Sequence, residues 1–241
     1  LPIAPRYLVA EMVLGSIFLL MAVVELIMGG WNLPFYPIPS SIGIESMLFE
    51  PHWDLVRQLV FHLILLSSLF TFALVKFENF PIPRTVLWLP LLIGILMILI
   101  WPELQPVSWH TMQRPSPSQF APLIPIALAN PLIGGSVGWL IALFLRRWGV
   151  DPNTTGSGLS QSGLGSGLLL IGVFLGWQAV FSTAIIFLAI SVVSQLLVDF
   201  SSDPQTARPL TESRWNNSSR LFLATLIQLL LWRIQVSMLA G

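Results

Sequence analysis

The chain contains no cysteine. Disulfides, thiolate zinc sites and catalytic thiols are therefore excluded. Charge is scarce as well. Lys, Arg, Asp and Glu make up 9% of the 241 residues, where soluble domains carry about a quarter. That is too little to keep a surface of this size dissolved. The 11 basic and 11 acidic residues cancel, so no basic surplus points to a nucleic-acid partner. Histidine is rare, and His52, His62 and His110 stand far apart. No carboxylate cluster at ligand spacing joins them, so no metal or other cofactor is expected. Serines are plentiful, but no G-x-S-x-G turn and no Ser/His/Asp arrangement occurs. Ser162 and Ser166 lie in a Gly/Ser-rich stretch of linker composition. The residues by themselves nominate no catalytic, cofactor-binding or metal-binding side chain.

What fills the chain is apolar. Hydrophobic residues reach 55% and mean hydropathy is +0.81. A membrane-spanning helix needs ~20 mostly apolar residues. Candidates run over Leu8–Met28, Leu55–Val75, Val86–Trp101 and Ile124–Leu145. Proline-rich or polar loops separate them. Asn153–Gly167 shows no hydrophobic period and reads as loop. Leu168–Val198 is too long for one span, and a turn near Trp177–Gln178 divides it in two. Leu221–Leu239 closes the set. The expected fold is an all-α polytopic bundle of about seven transmembrane helices, one domain over residues 1–241.

Charge placement orients this layout. With a cytoplasmic N-terminus, the inner segments hold Arg6, Lys76, Arg84, Arg146, Arg147, Arg208, Arg214 and Arg220. The outer ones hold only Arg57, Arg114 and Arg233. Cytoplasmic loops of membrane proteins carry this excess of Lys and Arg. Trp31, Trp53, Trp101, Trp148, Trp177 and Trp215 fall near helix ends, as an aromatic belt requires. Gly134 with Gly138, and Gly172 with Gly176, are small pairs four apart that let helix backbones approach closely. Ionisable groups inside the spans need an explanation. Glu11 and Glu25 lie near opposite ends of the first span and read as interfacial anchors. His62, about two turns into the second span, reads as a hydrogen-bonded packing residue.

Three stretches, in order, resemble the type IV prepilin peptidases, the A24 family of membrane aspartyl proteases. Ile3-Ala4-Pro5-Arg6-Tyr7 through Glu11 is similar to the family's I-x-x-R-Y-P-L-V-E. Leu74–Leu91, LVKFENFPIPRTVLWLPL, resembles L-I-D-x-x-x-x-x-I-P-D-x-x-x-L-P. Gly163–Ala179, GLGSGLLLIGVFLGWQA, resembles G-D-x-K-L-L-A-A-L-G-A-W-L-G-W-Q-A. Leu132–Arg146 matches the helix before it. The resemblance covers nearly the whole chain and implies a bacterial plasma (inner) membrane protein. The family's upstream helix and cytoplasmic cysteine domain have no counterpart in these residues.

The family's catalytic pair is one Asp from the second motif and one from the third. Those places fall here on Lys76 and on Leu164, or on Ser166 if the Gly-rich stretch slides by two residues. Arg84 replaces the Asp after Ile-Pro. Two carboxylates sharing a proton activate water in aspartyl proteolysis, and none of these residues substitutes. The resemblance therefore implies a pseudoenzyme. It would serve as a structural or recruiting subunit of a membrane complex, among lipids, other membrane subunits and hydrophobic helices of pilin-like proteins. Two alternatives stand beside it. One is an active leader peptidase with relocated carboxylates, Glu78 and Asp151; the blander role for Glu78 is a surface partner of Arg84. The other is an accessory subunit of a transport or energy-converting complex.

Overall fold

The computed structural model describes residues 5–34, 49, 52–78, 80–105, 123–148, 163–201 and 216–240. Seven α-helices occupy them: α1 (Pro5–Ala22), α2 (Trp53–Phe77), α3 (Arg84–Ile100), α4 (Leu123–Arg147), α5 (Gly163–Leu175), α6 (Trp177–Ser201) and α7 (Asn217–Ala240). A π-helical turn, Val23–Ile27, extends α1, and a 3₁₀ turn, Pro102–Leu104, follows α3. The chain is an all-helical bundle of membrane composition. Five helical stretches are long and apolar enough to cross a bilayer: Tyr7–Ile27, Trp53–Phe77, Leu128–Arg147, Trp177–Leu197 and Asn217–Val236. The other two, α3 with 17 residues and α5 with 13, are shorter. At 1.5 Å per residue α5 is only about 20 Å long, against a hydrocarbon core of about 30 Å.

Pairwise contacts fix the helix directions. Tyr7 at the start of α1 bonds Glu78 just past α2, while Glu25 beyond the other end of α1 meets His62. The two helices are thus antiparallel. Along α5, Gly163 lies against Lys76, and Phe174 stacks on Phe61 with centroids 4.6 Å apart, so α5 is antiparallel to α2. Gly163 also touches Ser218 and Gly167 touches Leu221, so α7 runs parallel to α5. Lys76, Arg84, Arg146, Arg147 and Arg220 consequently gather at one end, which we call the basic end. Arg57 and Arg233 lie toward the opposite end. Trp31, Trp53 and Trp148 are exposed beside helix termini, where a belt would place them.

The centre of the bundle is α5, with 12 of its 13 residues buried. Such enclosure supplies protein on every side of a helix too short to need lipid contact. Its tightest neighbour is α4. A Cβ on Gly134 would overlap the carbonyl oxygen of Gly172, and a Cβ on Gly172 that of Gly134. One step along, a Cβ on Gly138 would overlap the carbonyl of Leu168. Backbone lies directly on backbone, which maximises dispersion contact where no hydrophobic force drives helices together. Gly94 opens the space that Phe174 fills from the other side.

Two boundaries differ from the sequence reading. Residues 163–167 are helix, not loop, and Ser166 is 1% exposed within α5. Gly163 and Gly167 serve approach rather than flexibility, because Lys76 and Ser218 rest against the first and Leu69 and Leu221 against the second. The break between α5 and α6 falls at Gly176, whose φ of 85° favours glycine. Its N–H bonds Gly172 O and its own carbonyl accepts from Val180, so one residue closes α5 and opens α6.

Gly172→Leu should drive α4 from α5 and lower the apparent melting temperature in detergent. Overpacking costs ~1–3 kcal/mol or more. Gly15→Ala is the control, since nothing lies within 4 Å of the added methyl, and it should melt at or slightly above wild type. A Gly172→Leu protein as stable as wild type would show that the two helices do not touch there.

Candidate functional site

A polar knot is buried away from the basic end. It starts with Glu25, which lies on one helical row with Ile17 and Met21, at steps of four. All three are buried, so the row faces the bundle. The π-helical turn continues that row inward, and Glu25 is 0% exposed. On α2, Gln58 and His62 form a second row at the same spacing, and His62 is also 0% exposed. The two rows meet with His62 Nδ1 2.5 Å from Glu25 Oε1.

Three further segments close the knot. Gln58 Nε2 lies 3.0 Å from His62 Nε2 and donates to Leu104 O of the 3₁₀ turn at 3.1 Å. Asn32, 1% exposed in the turn after Gly29–Gly30, donates to Glu25 Oε1 at 3.3 Å and to Leu229 O of α7 at 3.0 Å. The Asn32 carbonyl accepts the Arg233 backbone N–H at 3.1 Å. Asn32 therefore grips both groups of one rung of α7. Gly29 and Gly30, at φ 64° and 72°, turn the chain back so that it can. Beside the knot, buried Gln105 donates to Val173 O at 3.1 Å. This satisfies a carbonyl in the last turn of α5, where in-helix donors run out.

The second feature lies at the basic end. A groove of about 880 Å³ opens between α1, the end of α2 and Pro81–Pro83. Its walls are apolar, with Val13, Phe70, Leu74 and Phe80 among them, and its polar side chains are Tyr7 and Glu78. The Tyr7 hydroxyl donates to Glu78 Oε1 at 3.4 Å. No ion pair joins Glu78 to Arg84 among the described residues; Glu78 turns back to α1, while Arg84 lies exposed beyond the proline turn.

Glu11 is exposed, whereas Glu25 is buried inside the bundle and is not the interfacial anchor expected of it. A chain apolar on all sides of α1 gives no phase from which to tell an inward carboxylate from an outward one. His62 is the hydrogen-bonded packing residue expected of it. Its partners were missed, although Gln58 and His62 at i, i+4 inside an apolar run are a legible pair. The described histidines, His52 and His62, join no metal-binding group; His110, Asp151 and Ser162 lie outside the described residues. Lys76 and Leu164 belong to the packed basic end of α2 and α5, with Leu164 2% exposed. Comparison with protein-family models, with curated proteins and with solved structures gives no match.

Removing one partner of a buried hydrogen bond leaves the other unsatisfied, at ~1–3 kcal/mol per group. Glu25→Ala removes the acceptor of both His62 and Asn32 and should strongly lower stability to heat in detergent. Glu11→Ala, on the exposed face, should stay within ~0.5 kcal/mol of wild type. Equal melting of the two variants would refute the buried position of Glu25.

Proposed function

We propose that this chain is a non-catalytic membrane protein, similar in layout to the prepilin peptidases, that recruits or holds a hydrophobic helix within a membrane complex. One observation carries the reading. The places where the resemblance expects two acids are filled by a packed contact. Lys76 carries its stem against Gly163, Ser218 fills the other side of that glycine, and Leu164 and Ser166 are buried within α5. A protease dyad needs two carboxylates sharing a proton around a reachable water. This junction brings a lysine, a serine and a glycine backbone together instead.

The recruiting role draws on the groove at the same end. Its volume lies within the usual range for ligand clefts, ~300–1,000 Å³, and its apolar walls suit a membrane-embedded segment. We place the basic end at the cytoplasm, on the positive-inside rule, in a bacterial plasma membrane. In this reading α3 and α5 complete seven crossings, α5 being short because the other helices enclose it.

The test is incubation of the purified chain with a prepilin substrate, alongside Glu78→Gln. We expect no cleavage from either protein, because loss of even one acid–base group costs ~10²–10⁴-fold. A stable set of membrane subunits should co-purify with the chain. Robust cleavage that Glu78→Gln abolishes would overturn the reading and establish a relocated dyad.

A further inference from the structure

We propose that Glu25 and Asn32 form a binding site for one proton, held between Glu25 Oε2 and Asn32 Oδ1. Gln58 sets the direction of the hydrogen bonds in the knot. Its amide nitrogen faces Leu104 O, which can only accept, so the amide cannot be turned over without setting two oxygens together. The same nitrogen therefore donates to His62 Nε2, and that ring nitrogen must accept. The ring proton sits on Nδ1, and the imidazole is a neutral donor to Glu25 Oε1. His62 cannot serve as the cation of an ion pair while Gln58 holds this position.

Among the described residues no other cation pairs with Glu25. On α7, Arg233 reaches the knot through its backbone N–H to Asn32, and its Nη1 has no hydrogen-bond partner. No ion pair within 4 Å joins it to Glu25 among the described residues. On α2, Arg57 pairs with Asp54 and lies 3.6 Å from Glu103, after the α3 terminus. On α1 itself, Glu11 is about four turns away. A full negative charge on Glu25 would thus stand in the bundle interior with no cation within ion-pair distance among the described residues, at a cost far above that of a neutral group.

Two unpaired atoms show where a proton fits. Glu25 Oε2 and Asn32 Oδ1 are both buried, and neither finds a donor. They belong to two groups already joined through their other atoms, Asn32 Nδ2 and Glu25 Oε1. A proton on Oε2 makes that oxygen a donor to Oδ1. The carboxyl and the primary amide then close a two-bond ring, and both orphans are satisfied by one particle. The second Asn32 N–H remains on Leu229 O. Loss of the proton would leave a bare charge and two unmatched oxygens where Asn32 grips α7. The charge on Glu25 thus governs how the turn after α1 holds that helix.

Infrared spectroscopy of the full chain in lipid vesicles reads this directly through the C=O stretch of a protonated carboxylic acid. Wild type should show that band. Glu25→Gln should lose it, and Glu11→Gln and Glu78→Gln should keep it. Asn32→Leu should retain the band at higher frequency, because the acceptor is gone. Circular dichroism establishes that each variant is folded. A wild-type spectrum without the band, or a band indifferent to Glu25→Gln, overturns the proposal. So does a band that appears only when sodium is withdrawn, which would assign the site to that ion.

Discussion

A carboxyl group can remain inside an apolar bundle only if hydrogen-bond partners are brought to it, and that constraint organises one end of this protein. Glu25 faces inward from the π-helical turn. His62 of α2 and Asn32 of the following turn converge on the same carboxylate oxygen. Each donor is then held by something else: Gln58 holds the imidazole, Leu104 O holds Gln58, and a rung of α7 holds Asn32. One polar atom thus fixes α1, α2, the 3₁₀ turn and α7 relative to one another. Hydrogen bonds give direction and register that apolar contacts inside a bilayer do not.

The remaining helices are ordered by a different force. α5 carries no charge and sits among its neighbours by shape, with glycines where backbones must meet. Its contact with α4 is the closest of these. At the basic end the same device brings Lys76 and Ser218 against Gly163. The molecule therefore has two unlike ends. One is locked by a polar knot. The other is closed by glycine packing, is flanked by an apolar groove, and carries Lys76, Arg84, Arg146 and Arg147 at its helix ends. The functional proposal uses the second end, and the proton site belongs to the first.

Much of the architecture could be read from hydropathy alone. The apolar runs located the helices to within a few residues, and the Gly134/Gly138 and Gly172 spacing marked the α4–α5 contact. Two physical ambiguities limited the rest. Glycine permits both flexible linkers and tight helix contacts, so residues 163–167 resembled a loop until their neighbours were known. A helix apolar all round has no detectable phase, so the inward direction of Glu25 could not be told from a position near the headgroups. The signal that was present lay in the polar set itself. Glu25 and Asn32 follow the C-terminal end of α1 and Gln58 and His62 lie in the N-terminal part of α2, so that in antiparallel helices they fall at one level, where their side chains can meet.

The central claim is that Glu25 and His62 act as one bonded unit within the bundle. The most direct measurement is a double-mutant cycle on stability, with Glu25→Ala, His62→Ala and the pair. Residues sharing a buried hydrogen bond couple by ~0.5–3 kcal/mol. The account predicts a coupling in the upper half of that range, with the double variant little worse than Glu25→Ala alone. Additive losses, agreeing within ~0.5 kcal/mol, would contradict it.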